Sequence, residues 1–178
     1  MIKNPYSGKF IVFEGIDGSG QTTQAGLLKD YLLKKGRKIL LTKEPTQNSP
    51  FGKRIRKILD KKIKISPFAF QKIFVKDRAW HLKKEIIPAL KNGKTVICDR
   101  YLFSTLAYGR GAQKLNLEKL IDLNKNFILP DFVFYLDIAP EIALKRIIKR
   151  KGLQTIFEKQ EKLRKVRRVY KNLLKKYK

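Results

Sequence analysis

Short apolar runs alternate with longer amphipathic stretches along this chain. Runs rich in β-branched and aromatic residues predict strands, and residues at helical spacing follow each of them. The predicted strands are Lys9–Glu14, Lys38–Thr42, Thr95–Cys98 and Asp131–Asp137. Strands that alternate with helices form a parallel sheet with helices on both faces, which binds ligands at the carboxyl ends of its strands. The pattern therefore predicts one α/β domain over residues 1–178.

Capping residues and helix breakers set the predicted helix boundaries. Ser66-Pro67 is a capping serine followed by proline, and it opens a long helix to about Lys91. Pro88 should bend its last turn, since proline lacks the backbone N–H. Thr155 and Glu158 have capping-box spacing and predict a final helix to the C-terminus. The other predicted helices are Gly20–Lys35, Gly52–Leu59, Leu117–Asn126 and Pro140–Lys151.

Composition narrows the class of protein. There are 42 Lys and Arg residues against 15 Asp and Glu, a formal net charge of +27. The lysines are spread over the whole chain without a nucleic-acid recognition motif, so we expect no nucleic-acid binding beyond non-specific charge effects. No apolar run approaches the ~18–20 residues of a membrane span. One cysteine, Cys98, fits a reducing compartment, and we expect a cytoplasmic protein that binds no membrane.

The lone histidine and the lone cysteine suggest no metal chemistry. His81 is the only histidine, and paired cysteines and carboxylate clusters are missing from the sequence, which argues against a transition metal. We expect His81 at the surface or at an interface. Cys98 lies in a predicted strand and should be a small core residue.

The first predicted strand runs directly into a glycine-rich loop. Its pattern is that of a phosphate loop, G-x-x-x-x-G-K-[ST], except that Gln21 stands in the lysine position. Glycines let several backbone N–H groups face a phosphate, and the helix that follows adds its positive dipole end. Glutamine can donate a hydrogen bond but supplies no charge, so another cation is needed at the transferring group. The loop comprises Gly15, Ile16, Asp17, Gly18, Ser19, Gly20, Gln21, Thr22 and Thr23.

Five segments together resemble the thymidylate kinase family. They are FEGIDGSGQTTQ at Phe13–Gln24, KEP at Lys43–Pro45, FVKDRAWH at Phe74–His81, CDRYLFSTLAYG at Cys98–Gly109 and FEKQEKLRKVRRVY at Phe157–Tyr170. The resemblance implies a three-layer P-loop fold and transfer of the γ-phosphoryl group of ATP to dTMP, giving dTDP and ADP. It also implies Mg²⁺ as the ion that accompanies ATP, with Thr22 and Asp99 as the residues that bind it.

The acceptor side of the site follows from the same resemblance. It implies that Phe74 stacks on thymine, Arg78 bonds a base carbonyl and Arg100 binds the monophosphate. Tyr108 would lie under the sugar and disfavour ribonucleotides. The full set of dTMP-binding residues implied is Asp17, Phe74, Arg78, Arg100, Ser104, Thr105 and Tyr108.

Positive charge for catalysis is expected from a lid segment around residues 146–156. One subclass of the family carries its catalytic arginine in the lid and not in the phosphate loop. This loop has no arginine between Asp17 and Gly20, so the chain resembles that subclass. The catalytic residues implied are Asp17, Asp99, Arg100, Arg146 and Arg150.

Self-association is also expected, because the family pairs its long helices in a two-fold dimer and the helix from Pro67 is rich in apolar residues. The apolar positions are Phe68, Phe70, Ile73, Phe74, Trp80 and Leu82, more than one face of a small monomer needs to bury.

Three features depart from the family pattern: Gln21, a short lid and an early C-terminus. Family members usually continue into a further strand, so we expect a sheet of about four strands and a more open ATP site.

Two interpretations of the function remain. One is a compact thymidylate kinase that uses lid cations; the other is a catalytically impaired homologue that acts as a nucleotide-binding or regulatory module. The complete set of acceptor-side residues favours the first.

Overall fold

Four parallel strands form one sheet in the residues that a computed structural model describes, which are 1–151 and 157–176, without the side chains of 150, 151, 157 and 158. The order of the strands is β2-β3-β1-β4. The strands are β1 (Phe10–Gly15), β2 (Ile39–Lys43), β3 (Thr95–Asp99) and β4 (Phe132–Leu136). Each lies within one or two residues of the predicted run, and the predicted parallel sheet is confirmed.

The register of the two central strands determines where a site can form. Phe13 of β1 lies opposite Asp99 of β3, so both strands end at the same edge of the sheet. The glycine-rich loop leaves β1 at this edge, and Arg100 leaves β3 beside it. Residues far apart in sequence are thereby brought together at the carboxyl ends of the strands, where parallel sheets bind ligands.

Helices cover both faces of the sheet, as the alternating pattern predicts. They are α1 (Gln21–Lys34), α2 (Pro50–Leu59), α3 (Pro67–His81), α4 (Ile87–Lys91), α5 (Leu102–Gly111), α6 (Leu117–Asn124), α7 (Pro140–Lys151) and α8 (Phe157–Lys176). On one face, Ala25 of α1 packs with Phe13 and Ile97. The opposite face carries the larger core, which includes Val12 and Cys98, and the prediction of Cys98 as a core residue is confirmed.

The long helix predicted from Pro67 is interrupted. The segment Leu82–Ile86 is π-helical and joins α3 to α4, whose first turn contains Pro88. Proline cannot donate the backbone hydrogen bond that an unbroken α-helix needs there, and the structure shows a change of helical period just before Pro88. Ser66 caps α3 as expected, with its Oγ accepting from the N–H of Ala69 at 3.4 Å.

Helix α5 was not predicted, and it forms the layer between the sheet and α8. Most of its residues are buried, so its sequence has no polar face to give a helical period. A Cβ on Gly111 would lie 2.8 Å from the backbone of Val166, so the close approach of α5 and α8 depends on that glycine. The predicted cap at Thr155 lies outside the described residues.

Some of the apolar residues of the predicted long helix that suggested self-association are buried within the chain. Phe70, Ile73 and Leu82 are buried in the described structure, whereas Phe68 and Trp80 are partly exposed. Among the described residues, no helix has both the length and the apolarity needed to cross a membrane.

Candidate active site

The loop between β1 and α1 has the backbone shape of a phosphate cradle. Gly18 and Gly20 have φ values of 84° and 103°, a region that favours glycine. A Cβ on Gly18 would lie 2.5 Å from the carbonyl oxygen of Ala143, so α7 packs directly against the loop. The hydroxyl of Ser19 is buried and has no hydrogen-bond partner among the described residues, which leaves it available to a bound anion.

Two oxygen ligands meet where α1 begins. Thr22 Oγ1 donates to Asp99 Oδ2 at 2.5 Å, and Asp99 is buried at the end of β3. The described residues contain no cluster of three or more His, Cys, Asp or Glu side chains that could hold a metal ion. Mg²⁺ is usually held by one or two protein oxygens together with phosphate and water. A hydroxyl and a carboxylate beside a phosphate loop fit that ion.

Arg100 connects the loop with the strands. Its φ of 71° is unusual for arginine, and the side chain lies beside the glycine loop. Nη1 donates to the carbonyl oxygen of Gly15 at 2.9 Å, and Nη2 donates to Asp17 Oδ1 at 2.8 Å. The guanidinium lies 5.4 Å from the ring centre of Tyr108. These contacts hold a cation at the edge of the sheet where an anionic ligand would bind.

A cleft of about 290 Å³ opens next to Arg100, between α3, α5 and α8. Its walls are largely apolar, with polar groups at a few positions, which is typical of a small-molecule site. The residues that the sequence assigns to the base, the sugar and the monophosphate all line it: Asp17, Phe74, Arg78, Arg100, Ser104, Thr105 and Tyr108.

Arg78 lies at the floor of the cleft and is only 1% exposed. Its Nε and Nη2 donate to Glu44 Oε2 at 3.0 and 2.7 Å, and Nη1 donates to Asn124 Oδ1 at 2.5 Å. Nη2 also donates to Thr105 Oγ1 at 3.0 Å. Burial is the largest single effect and acts to lower the pKa of Arg78, but Glu44, Tyr101 and Glu14 together outweigh it and the pKa is raised. The guanidinium is therefore a fixed charge that organises the cleft from below.

Comparison with known proteins gives one consistent result. A family model described as thymidylate kinase matches residues 13–178. The probable thymidylate kinase of Pyrococcus horikoshii is 50% identical over 169 residues, covering 92% of this chain and 81% of that protein. The thymidylate kinase of Leptospira interrogans is 41% identical over 167 residues, covering 93% and 81%. That of Desulfotalea psychrophila is 39% identical over 174 residues, covering 97% and 84%.

The chain belongs to the thymidylate kinase family. The predicted resemblance is thereby confirmed over nearly the whole chain. The other interpretation, an impaired homologue that only binds nucleotide, has no support from these relatives, which are named as kinases.

The lysine position of this family member is filled by a neutral side chain that is turned into the loop. Gln21 is buried, and its Nε2 donates to the carbonyl oxygen of Gly15 at 2.8 Å. Arg146 of α7 approaches the same loop from outside, with Nη1 3.5 Å from the carbonyl oxygens of Gly18 and Ser19. The side chain of Arg150 lies outside the described residues.

One sequence expectation is wrong. His81 is fully buried and not a surface residue. Its Nε2 lies 2.7 Å from Thr42 Oγ1, and its Nδ1 lies 3.3 Å from Glu44 Oε1. The end of α3 packs against the end of β2, so the histidine lies beneath the loop that carries Glu44 and joins the polar group around Arg78.

Several residues of the site were missed by sequence reasoning. Glu44 and Asn124 hold Arg78, and Gln71 lines the cleft with its Oε1 buried and without a hydrogen-bond partner among the described residues. Glu14 and Tyr170 form a buried pair behind Arg100. Glu44, Glu14 and Tyr170 lie within the segments that resemble the family, but those segments name no partner for them; Gln71 and Asn124 lie outside the segments.

Proposed function

We propose that the protein transfers the γ-phosphoryl group of ATP to dTMP, giving dTDP and ADP. The observation that carries this proposal is the position of Arg100. Its guanidinium lines the cleft and at the same time contacts Asp17 and the carbonyl oxygen of Gly15 in the phosphate loop. An acceptor phosphate bound by Arg100 would therefore lie next to a donor phosphate in the loop, and phosphoryl transfer depends mainly on such positioning.

The cleft offers complementary groups to a thymine nucleotide. Phe74 is half-buried on its wall and presents an aromatic ring on which a base can stack. Thr105 Oγ1 accepts from Arg78, so its own proton is available to a base carbonyl. The unpartnered Oε1 of Gln71 can accept from the ring N–H of thymine. Tyr108 is held near the sugar side by the N–H of Asp17, which donates to its hydroxyl at 2.8 Å.

The donor side would bind the phosphates of ATP through the loop and its ion. The buried Ser19 hydroxyl has no hydrogen-bond partner among the described residues, and phosphate oxygens would accept from it and from backbone N–H groups of the loop. Thr22 and Asp99 would hold Mg²⁺, with Asp99 orienting the hydroxyl of Thr22. Bound there, the ion would neutralise negative charge on the terminal phosphates.

Arginines replace the missing lysine in this proposal. Arg146 is exposed on α7 and close to the loop, so its guanidinium can turn to a terminal phosphate when one is bound. Arg100 supplies charge from the acceptor side, and Asp17 orients it through the 2.8 Å ion pair. We assign the remaining catalytic charge to Arg150, at the end of α7.

A homodimer that works in the cytoplasm completes the proposal. The partly exposed Phe68 and Trp80 on α3 are the apolar residues left for a second copy to cover. Cys98, a buried free thiol, fits a reducing compartment.

A coupled assay of ADP formation with ATP, Mg²⁺ and dTMP tests the function. The expected result is ADP release that requires dTMP and is lost in Arg100→Met, with dTDP as the second product. Thymidine in place of dTMP is the matched control, because it has the same base and sugar but no phosphate to accept the group. If ADP forms at the same rate without dTMP, the protein hydrolyses ATP and the assignment fails. If neither ADP nor dTDP forms, the nucleotide-binding alternative takes its place.

A further inference from the structure

A buried polar cluster lies directly behind Arg100, and two of its three members have no role in the site as described so far. It consists of Glu14 on β1, Ser104 on α5 and Tyr170 on α8, and we call it the Glu14 cluster. Glu14 and Tyr170 are both 0% exposed. A carboxylate in a protein interior is costly unless several donors satisfy it, so its presence beside a functional arginine needs a physical account.

Glu14 is fully satisfied by donors from two helices. Oε1 accepts from the backbone N–H of Tyr101 at 3.0 Å and of Ser104 at 3.2 Å. Oε2 accepts from Ser104 Oγ at 2.6 Å and from Tyr170 Oη at 2.8 Å. Burial raises the pKa of Glu14, although Ser104, Arg100 and Tyr170 each act to lower it. The cluster thus depends on its hydrogen bonds to keep the carboxyl group in place.

The hydrogen bonds of the cluster fix the direction of the Ser104 hydroxyl. Because Ser104 has one hydroxyl proton and gives it to Glu14, its oxygen can only accept from its other neighbours. Arg100 Nη1 is one of these neighbours and donates to Ser104 Oγ at 3.1 Å. Tyr170 gives its one proton to the same carboxylate oxygen of Glu14, so it restrains Ser104 through that shared carboxylate, with its Oη 2.8 Å from Ser104 Oγ. The orientation of Arg100 therefore depends on side chains of three other elements, which are β1, α5 and α8.

The cluster also joins the acceptor site to the helix that follows the lid segment. Tyr170 is on α8, and residues of the first half of α8, among them Lys159 and Lys162, line the cleft. The Glu14 cluster reaches the cleft at Ser104, which lines it, and through the hydrogen bond from Arg100 to Ser104. A shift of α8 would move Tyr170 and loosen the restraint on Ser104 and Arg100.

We propose that Glu14 and Tyr170 are positioning residues of this kinase, which act through Ser104 to hold the guanidinium of Arg100 where it binds the phosphate of the acceptor nucleotide. The inference rests on the proposed function, since it needs Arg100 to be the group that binds that phosphate. The two residues are buried, Glu14 on the first strand and Tyr170 on the last helix. They determine affinity for the phosphate without touching the substrate.

The test compares two tyrosines of one aromatic pair. The rings of Tyr170 and Tyr135 pack with centroids 5.2 Å apart. Tyr170→Phe removes the hydroxyl that belongs to the Glu14 cluster and keeps the ring. Tyr135→Phe is the matched control, because it removes a hydroxyl of the same aromatic pair that does not belong to the Glu14 cluster. Each protein is titrated calorimetrically with dTMP and with thymidine.

Tyr170→Phe should weaken dTMP binding about tenfold, which corresponds to ~1.4 kcal/mol, because a less restrained Ser104 would no longer hold the guanidinium of Arg100 where it binds the phosphate. Thymidine binding should stay within about twofold, because thymidine has no phosphate for Arg100 to bind. Tyr135→Phe should leave both affinities near those of the wild type. Glu14→Gln turns one acceptor of the cluster into a donor and should also lower the ratio of dTMP affinity to thymidine affinity. This variant replaces Tyr170→Phe in the test if Tyr170→Phe does not fold.

Three outcomes would overturn the inference. Equal weakening of dTMP and thymidine binding would mean that the cluster is only structural. Unchanged affinities in both Tyr170→Phe and Glu14→Gln would mean that Arg100 is held without it. If the wild-type protein binds dTMP no more tightly than thymidine, the proposed function itself fails, and the inference fails with it.

Discussion

The guanidinium of Arg146 reaches the phosphate loop, with Nη1 3.5 Å from the carbonyl oxygen of Ser19. The loop residue in the lysine position, Gln21, instead donates to Gly15 within the loop. The cations beside the loop are thus carried by α7 and by Arg100 after β3, and not by the lysine position of α1. A charge at this place can stabilise the negative charge that develops on the transferring phosphoryl group.

Arg146→Met should lower kcat by at least about tenfold, which corresponds to ~1.4 kcal/mol of transition-state stabilisation. The KM for dTMP should change little, because Arg146 faces the donor side. Steady-state kinetics with dTMP, ATP and Mg²⁺ measure both constants. Lys145→Met is the matched control: it removes one positive charge from an exposed neighbouring position of α7. An equal loss in the two variants would assign the effect to net charge.

Gln21→Lys should raise kcat by at least about tenfold, since an ammonium at the start of α1 can reach the β- and γ-phosphates. Calorimetric affinity for dTMP should stay nearly constant. Gln21→Met controls for loss of the hydrogen bond to Gly15 without added charge. If the wild type already turns over rapidly and Gln21→Lys does not raise kcat, Arg146 is sufficient. Gln21→Lys combined with Arg146→Met should then recover the kcat that Arg146→Met loses.

Binding of nucleotides should depend on the base. If Phe74, Arg78 and Thr105 form the base site, dTMP should bind more tightly than dCMP or dGMP by roughly 1–3 kcal/mol, because a mismatched polar edge leaves buried groups unpaired. Gln71→Met, which removes the unpartnered acceptor, should narrow this difference. Isothermal titration with the three monophosphates provides the comparison, and equal affinities would contradict a thymine-specific cleft.

Self-association should be visible by sedimentation velocity at micromolar protein. We expect a species of twice the chain mass of 20.8 kDa. Because Phe68 and Trp80 are partly exposed apolar residues of α3, Trp80→Lys should shift the equilibrium to the monomer. A monomer alone in the wild-type sample would argue against the dimer, whatever the activity.

Acid should weaken the contact between α7 and α8. Glu141 Oε1 accepts from Arg164 at 2.6 Å and from Gln160 at 2.7 Å. Arg164 in particular lowers the pKa of Glu141 from 4.5 to about 2. A lowered folded-state pKa means that this contribution to stability is complete above about pH 4.5 and is lost as the pH falls through about 2.

The free energy of unfolding, measured by urea denaturation, should therefore be lower in Glu141→Gln than in the wild type at pH 6. The two values should converge towards pH 2. Glu118→Gln, which removes an exposed carboxylate of α6, is the comparison. If the difference in the free energy of unfolding between the two proteins is constant with pH, the effect of Glu141→Gln does not depend on the charge of Glu141.

The sheet and the loop could be predicted because their signals are local. β1 is a buried apolar run that ends in glycines, and these determine both the strand and the shape of the loop. The same holds for the Ser66 cap and the interruption before Pro88. Helix α5 was missed because burial on most sides removes the polar face that a helical period requires.

The contacts behind the site were not predictable for a different reason. Glu14 and Tyr170 are separated by 156 positions, and no spacing rule relates them. His81 was expected at the surface because a lone histidine on a helix gives no sign of a partner. Its burial follows from the packing of α3 on β2 and on Glu44, a tertiary contact that only the structure supplies.

The ion pair between Arg78 and Glu44 constrains how this cleft can evolve. Both partners are almost fully buried, so replacing one of them leaves an uncompensated charge that costs about 3–5 kcal/mol. A domain with about 5–15 kcal/mol of stability loses much of its margin with that single change. Changes of nucleotide preference at the cleft floor should therefore arise as paired substitutions at positions 44 and 78, and homologues that accept other bases should differ at both or at neither.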